Sequence, residues 1–123
     1  MCALKLGAKE ALESIPGELV LLVLSDYDFA YGRDDLPEDD GHAGMLETSR
    51  VLAIRPDLVR KERPVEHPPW PRFRVLKNVD KYWHKGVHGD TTGASAGFGE
   101  EVNVDIVAEL VKVIEGMKDE KLC

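Results

Sequence analysis

The spacing of hydrophobic and polar residues predicts three helices and one buried strand. Apolar residues recur at every third or fourth position over 3–14, with charged residues between them, which is typical of an amphipathic helix. Residues 18–25 are almost continuously apolar, as expected for a central strand covered on both faces in a layered sheet. Further helices are predicted over 44–54 and 96–118. These elements predict an α/β fold for residues 1–123, which are expected to form a single domain.

The last predicted helix has a wider apolar surface than one contact requires. Its apolar residues form two stripes, the first of Val104, Val107, Val111 and Ile114, and the second of Val102, Ile106, Leu110, Val113 and Met117. We therefore expect this helix to pack on two neighbours. Ser95 is the predicted N-cap, because its hydroxyl can accept a hydrogen bond from an amide two or three residues further on.

The predicted sheet is thin for this amount of apolar surface. A buried parallel strand needs neighbours on both sides, yet 18–25 is the one strong strand in the pattern. Either the chain oligomerises extensively or it forms part of a larger fold.

Composition narrows the class of protein. The net charge is −7, and only Arg60–Arg63 resembles a basic cluster, so nucleic acid is not an expected partner. Cys2 and Cys123 have no CxxC spacing, which argues against a disulfide framework or a zinc knuckle. The apolar run 19–24 is too short to span a membrane, and the N-terminus lacks a signal-peptide pattern. We expect a soluble cytoplasmic protein with no membrane partner.

A group of polar residues marks the start of the second helix: His42, Glu47, Thr48 and Ser49. A histidine at the mouth of a helix can act as a general acid or base near neutral pH, and a glutamate within reach can orient it or hold a metal. The competing interpretation is that Thr48 or Ser49 caps the helix or bonds back to it, Glu47 faces solvent, and His42 is an ordinary loop histidine.

The other histidines and two loops are expected to be structural. His67 and His84 do not fit a helical zinc motif, and His88 before Gly89-Asp90 is read as part of a turn. The glycine-rich stretch 93–99 lacks P-loop spacing, which favours a close approach between helices over phosphate binding. The acidic residues of 34–40 do not follow an EF-hand pattern and are read as a solvated loop.

Two motifs resemble the creatininase (creatinine amidohydrolase) family. One is HAGMLETSRVLAIRPDLV followed by EHPPWPRF, and the other is GVHGDTTGASAGFG followed by a long apolar helix. They occur in the family's order, and the resemblance runs from Ala3 to about Met117. The part resembled is the C-terminal half of the family's domain.

The resemblance implies a fold and a reaction. The implied fold is the C-terminal half of a three-layer α/β/α domain, here completed by oligomerisation. The implied reaction is metal-dependent hydrolysis of a C–N bond in a small, often cyclic, amide, where a binuclear zinc or manganese centre activates water. Members of the family commonly assemble as homo-oligomers, which we expect here.

The resemblance also assigns roles to individual residues. His42 matches the family's active-site histidine, and Glu47 matches the carboxylate that supports the site. Tyr27 falls where creatininase has a tryptophan over the substrate, so it is expected to bind substrate. Asp90 matches the aspartate of the family's Gly-Asp-Pro pattern, so its expected role is structural. Ser95, the predicted N-cap, is also expected to be structural.

Two positions depart from the family pattern. Met45 stands where an acidic residue can serve the metal centre, and a thioether is a poor ligand for zinc or manganese. Thr91 replaces the usual proline, which is expected to loosen a turn.

The family's main metal-ligand motifs are absent from these residues. They are an acidic-x-His-Gly motif, a later aspartate and the histidine of an Asn-Gly-His-Gly-Gly-Asn turn. We therefore expect no metal bound by this chain alone and no activity in isolation. A truncated reading frame, a split gene whose missing N-terminal half is a separate partner, and a degenerate paralogue remain open. The alternative function is a non-catalytic homo-oligomer.

Overall fold

A computed structural model describes residues 2–30, 32–69 and 75–119. Over those ranges the chain forms three α-helices and two short strands: α1 (Cys2–Glu13), α2 (Met45–Ile54), β1 (Val65–Glu66), β2 (Gly89–Asp90) and α3 (Ala96–Asp119). Single turns of 3₁₀-helix occupy Asp26–Phe29, Pro56–Leu58 and Val79–Lys81. The helices lie within one residue of the ranges that periodicity predicts. None of them combines the length and hydropathy that crossing a membrane requires.

The central strand predicted over 18–25 is not formed. In the described ranges the sheet consists of β1 and β2 alone, paired antiparallel with Val65 opposite Asp90. Residues 18–25 have no ladder partner there, and Leu19 is 54% exposed. A strand forms only where a neighbour satisfies its amides and carbonyls, and the described residues supply no such neighbour to this segment.

The core lies between α2 and α3. Leu46 of α2 packs with Val102 and Ile106 of α3 and with Ala30, all of them buried. The two helices approach so closely that a Cβ at Gly99 would lie 2.0 Å from the Ser49 carbonyl oxygen. Glycine is therefore required at this crossing, as the glycine-rich stretch 93–99 suggests.

The two apolar stripes of α3 have different surroundings. The second stripe faces the core, where Val102 is fully buried and Ile106 is 3% exposed. The first stripe faces outward, and Val104 and Val107 are 67% and 58% exposed. Within the described residues, α3 therefore has one of the two packing partners that its sequence predicts.

Candidate functional site

Asp40 builds the start of α2. The helix follows Gly44, which has no side chain to cap it, and Asp40 reaches forward instead. Its Oδ1 accepts a hydrogen bond from the Met45 amide at 2.5 Å, and its Oδ2 accepts one from the Leu46 amide at 3.0 Å. A Cβ at Gly44 would lie 2.2 Å from Asp40 Oδ1. The expectation of a solvated acidic loop is therefore wrong for Asp40, because the loop folds back and satisfies two orphan amides.

The loop that carries His42 is held by backbone bonds to His88. The Gly41 amide donates to the His88 carbonyl at 2.9 Å, and the His88 amide donates to the His42 carbonyl at 2.8 Å. Ala43 then takes a left-handed conformation with φ 52°, which is uncommon for a residue with a Cβ. This turn leaves the His42 imidazole 65% exposed, with its ring centroid 5.3 Å from that of Trp83 in an edge contact.

Glu47 is the point at which the predicted site residues meet. Its Oε2 accepts a hydrogen bond from the Ala43 amide at 2.6 Å and lies 3.9 Å from His42 Nδ1. The same carboxylate is hydrogen-bonded to the Tyr27 hydroxyl. The Glu47 side chain is 28% exposed and held by these neighbours, so it does not simply face solvent. His42, Glu47 and Tyr27 thus form one contiguous group.

The surroundings of Tyr27 keep its hydroxyl protonated. Burial raises the pKa of Tyr27 to about 12, with a further contribution from the negative charge of Glu47. Arg50 partly opposes this rise, since its guanidinium lies 5.2 Å from the centre of the Tyr27 ring. Arg50 is held in turn by Asp26 at 2.8 Å and by Asn103 at 2.7 Å. At neutral pH, Tyr27 is therefore a hydrogen-bond donor to Glu47.

Thr48 and Ser49, which follow Glu47, stabilise the surroundings of the site through hydrogen bonds. Thr48 Oγ1 donates to the Ala43 carbonyl at 3.2 Å, which bonds the side chain back to the loop. Ser49 is fully buried, and its Oγ accepts a hydrogen bond from the Ser95 amide at 3.1 Å. Ser95 Oγ accepts from the Phe98 amide at 3.2 Å, which is the geometry of an N-cap of α3.

Asp90 is the last residue of β2, and its side chain holds the turn that follows. Its Oδ1 accepts hydrogen bonds from the Thr92 hydroxyl at 2.6 Å and the Thr92 amide at 2.7 Å. These bonds lower the pKa of the Asp90 carboxyl, the hydroxyl contributing most. Thr91 Oγ1 donates to the Pro64 carbonyl at 2.8 Å, a bond that a proline could not make. The threonine therefore ties this turn to the neighbouring segment.

The remaining histidines pair elsewhere. His67 Nδ1 lies 2.9 Å from an Asp39 carboxylate oxygen, and its ring meets that of His88 edge-on at 6.4 Å. His84 Nδ1 lies 3.3 Å from Glu66 Oε1. Neither pair contacts Glu47 in the described structure.

Among the described residues, Glu47 lines two cavities. One has a volume of about 540 Å³ and is lined by Asp26, Tyr27 and Arg50. The other has a volume of about 380 Å³ and is lined by residues of α2, of 58–64 and of 85–87. Sequence reasoning did not find these cavities, because they depend on how distant segments meet.

Metal-ligating side chains are few around Glu47 in the described structure. Across residues 2–30, 32–69 and 75–119, no group of three or more His, Cys, Asp or Glu side chains is arranged to hold an ion. The site residues offer one imidazole and one carboxylate, His42 and Glu47, where a binuclear centre needs several ligands. The described residues therefore do not by themselves fit the metal centre that the resemblance implies.

Comparison with known proteins places the chain in a family. The profile described as creatininase, creatinine amidohydrolase, matches residues 4–114. The chain therefore belongs to the creatininase family. Over 58 residues it is 41% identical to the creatinine amidohydrolase of Pseudomonas putida, a match that covers 40% of this chain and 22% of that protein.

Solved structures show the same fold. A creatininase mutant described as Zn-Zn type matches with a TM-score of 0.74 at 24% identity over 95% of this chain and 50% of that one. Another, complexed with creatine, matches with the same TM-score over 51% of its length. A creatinine amidohydrolase crystal structure matches with a TM-score of 0.75 at 23% identity. The chain spans about half the length of the solved creatininases and has the fold of that part, a partial α/β domain.

Proposed function

We propose that this chain supplies one wall of the cavity of an amidohydrolase that cleaves a C–N bond in a small amide. The observation that carries the proposal is the convergence of His42 and Tyr27 on the Glu47 carboxylate, in a chain of the creatininase family. Fold alone would not assign the chemistry, since function resides in the site.

His42 is the proton-transfer group of this proposal. Amide hydrolysis requires a proton on the departing nitrogen, and an imidazole is suited to deliver it near neutral pH. The exposed imidazole can reach a ligand, while Glu47 at 3.9 Å favours one orientation of the ring. Tyr27 and Trp83 offer aromatic surfaces beside these groups, against which a small planar amide can lie.

Zinc or manganese is the proposed cofactor of the complete site. When bound, such a metal supplies an activated water. Because the described residues do not form its ligand set, the ligands would come from outside them, and the role of this chain is to position substrate and move a proton.

Metal analysis and an amidase assay test the proposal together. The protein is purified together with any chain that accompanies it, analysed by mass spectrometry for zinc and manganese, and assayed for hydrolysis of small cyclic amides, among them creatinine, alongside a His42→Gln variant. Bound metal with hydrolysis that falls at least about a hundredfold in H42Q supports the enzyme, since general acid–base groups contribute about this much. Metal-free protein with no hydrolysis, or hydrolysis indifferent to H42Q, contradicts it.

A second candidate is a non-catalytic homo-oligomer. It is favoured by the exposed outer stripe of α3 together with the exposed apolar segment 18–25. Contiguous apolar surface of this kind is unusual on a monomer and marks interaction sites. Under this candidate the protein is a stable oligomer that contains no metal and is indifferent to substitution of His42.

A further inference from the structure

The smaller cavity beside Glu47 is bordered by the basic run that stands out in the sequence. Arg60 and Arg63 both line the cavity of about 380 Å³, and Lys85 joins them from a distant segment. Glu47 and Val51 of α2 line the same space. Three cations therefore surround a cavity that opens onto the candidate catalytic carboxylate, in a protein whose net charge is −7.

Within the described ranges, these cations have no carboxylate partner. Among the described residues, no acidic side chain lies within 4.0 Å of the charged groups of Arg60, Arg63 or Lys85, although Glu62 also borders the cavity. Lys85 Nζ donates to the Val65 carbonyl at 3.0 Å, and an Arg63 guanidinium nitrogen donates to the Arg60 carbonyl at 3.3 Å. A lysine has three donors and an arginine five, so most of these donors are available to a ligand.

The arginines that line the larger cavity differ from Arg60 and Arg63 because they form ion pairs. Its two arginines are already neutralised, Arg50 by Asp26 at 2.8 Å and Arg55 by Asp57 at 2.7 Å. Of the two cavities, the smaller one, which Arg60 and Arg63 line, therefore has the positive charge that is available to a ligand.

We propose that this cavity holds a carboxylate of the substrate, so that the substrate class is a small amide bearing a negative charge. The inference rests on the proposed function, because it places the amide at Glu47 and the anionic group at the cations. Guanidinium groups bind carboxylates through paired hydrogen bonds. A volume of about 380 Å³ lies at the small end of ligand sites, as a small amide requires.

A matched pair of lactams tests the inference. Pyroglutamate and pyrrolidinone share a cyclic amide and differ in the carboxylate. In calorimetric or NMR titrations of the purified protein, we expect pyroglutamate to bind about tenfold more tightly, and the difference to shrink as salt is raised. Acetate, which has the charge without the amide, should bind more weakly than pyroglutamate.

Two variants test whether the preference for pyroglutamate depends on a cation that lines the cavity. Arg63→Gln removes one lining charge and should weaken pyroglutamate binding about fivefold while leaving pyrrolidinone unchanged. Lys61→Gln removes the same charge from the same basic run at a residue that does not line the cavity, and binding should stay at the wild-type value. Circular dichroism spectra of both variants check that they fold.

The inference is overturned by equal affinity for the two lactams, by no measurable binding of either, or by equal loss of affinity in R63Q and K61Q. Acetate binding as tightly as pyroglutamate would also overturn it, since the cavity would then be a general anion site. Failure of the proposed function looks different. If the protein prefers pyroglutamate through Arg63 but hydrolyses no amide and is unaffected by H42Q, the inference of an anionic ligand stands and the proposal of an amidohydrolase fails.

Discussion

At the level of single residues, Glu47 connects the members of the candidate site. Its carboxylate is held by the Ala43 amide and the Tyr27 hydroxyl, and it faces the His42 imidazole. A carboxylate held in this way can orient its neighbours without moving itself. The Tyr27 hydroxyl reports on this arrangement, because its ionisation depends on both burial and the charge of Glu47.

We predict that Glu47→Gln lowers the pKa of Tyr27 from about 12 part of the way towards 10. The sign follows from removal of a negative charge that opposes formation of the phenolate. The shift is partial because burial, the larger cause, remains. Titration of the tyrosine Cζ resonance by NMR measures it.

Glu62→Gln is the matched control for this titration. It removes a carboxylate from the neighbouring cavity, which Tyr27 does not line, so the pKa of Tyr27 should not move. An equal effect of E62Q and E47Q would contradict the local coupling.

At the scale of secondary-structure elements, α2 depends on a cap that lies outside its own sequence. Asp40 accepts hydrogen bonds from the Met45 and Leu46 amides, and the turn between Asp40 and Met45 carries His42. Positioning of the candidate site and stability of the helix are therefore linked through one aspartate.

Asp40→Ala should lower the free energy of unfolding by about 1 kcal/mol, the usual cost of losing an N-cap. Denaturant unfolding measures the loss, and hydrogen exchange at Met45 and Leu46 should accelerate. Glu38→Ala alters a nearby acidic residue with no hydrogen bond to α2 and should leave both measurements unchanged. Equal destabilisation by the two variants would show that loop charge, not the cap, matters.

The crossing of α2 and α3 also requires glycine at position 99. Gly99→Ala places a methyl group 2.0 Å from the Ser49 carbonyl oxygen, so we expect destabilisation of about 1–3 kcal/mol in thermal or denaturant unfolding. Gly116→Ala makes the same change later in α3, where a Cβ meets nothing within 4 Å, and should be neutral or slightly stabilising. A neutral G99A would mean that the helices are not packed as described.

At the scale of the whole molecule, the exposed apolar surface is the dominant feature. The outer stripe of α3 and residues 18–25 present large aliphatic side chains to solvent in a chain that spans half of its solved relatives. Surface of this kind drives association.

We predict that the purified protein self-associates through this stripe. Val107→Asp should shift sedimentation velocity profiles towards the monomer, because a charge on a buried contact is costly. Val107→Leu keeps the apolar contact and should retain the assembly. A monomeric wild-type protein, or an unaffected V107D, would exclude this surface as the contact.

Much of the local structure could be predicted from the sequence. Helical periodicity locates the helices within one residue, and the His-Ala-Gly and Glu-Thr-Ser residues indicate a candidate site at the start of α2. Capping by Asp40 could not be predicted, because the residue lies outside the usual capping spacing and acts only after the loop folds back. The strand at 18–25 could not be decided either, since strand formation depends on partners that periodicity does not specify.

The helices, the family and the identity of the candidate site residues follow from the amino-acid sequence alone, because they depend on local spacing and on side-chain chemistry. Which residues meet depends on the fold, which brings together Tyr27 with Glu47, Ser49 with Ser95, and the basic run with Lys85. It also decided which apolar stripe of α3 is buried. Contacts between residues far apart in the chain are set by packing in three dimensions, which a one-dimensional pattern constrains only weakly.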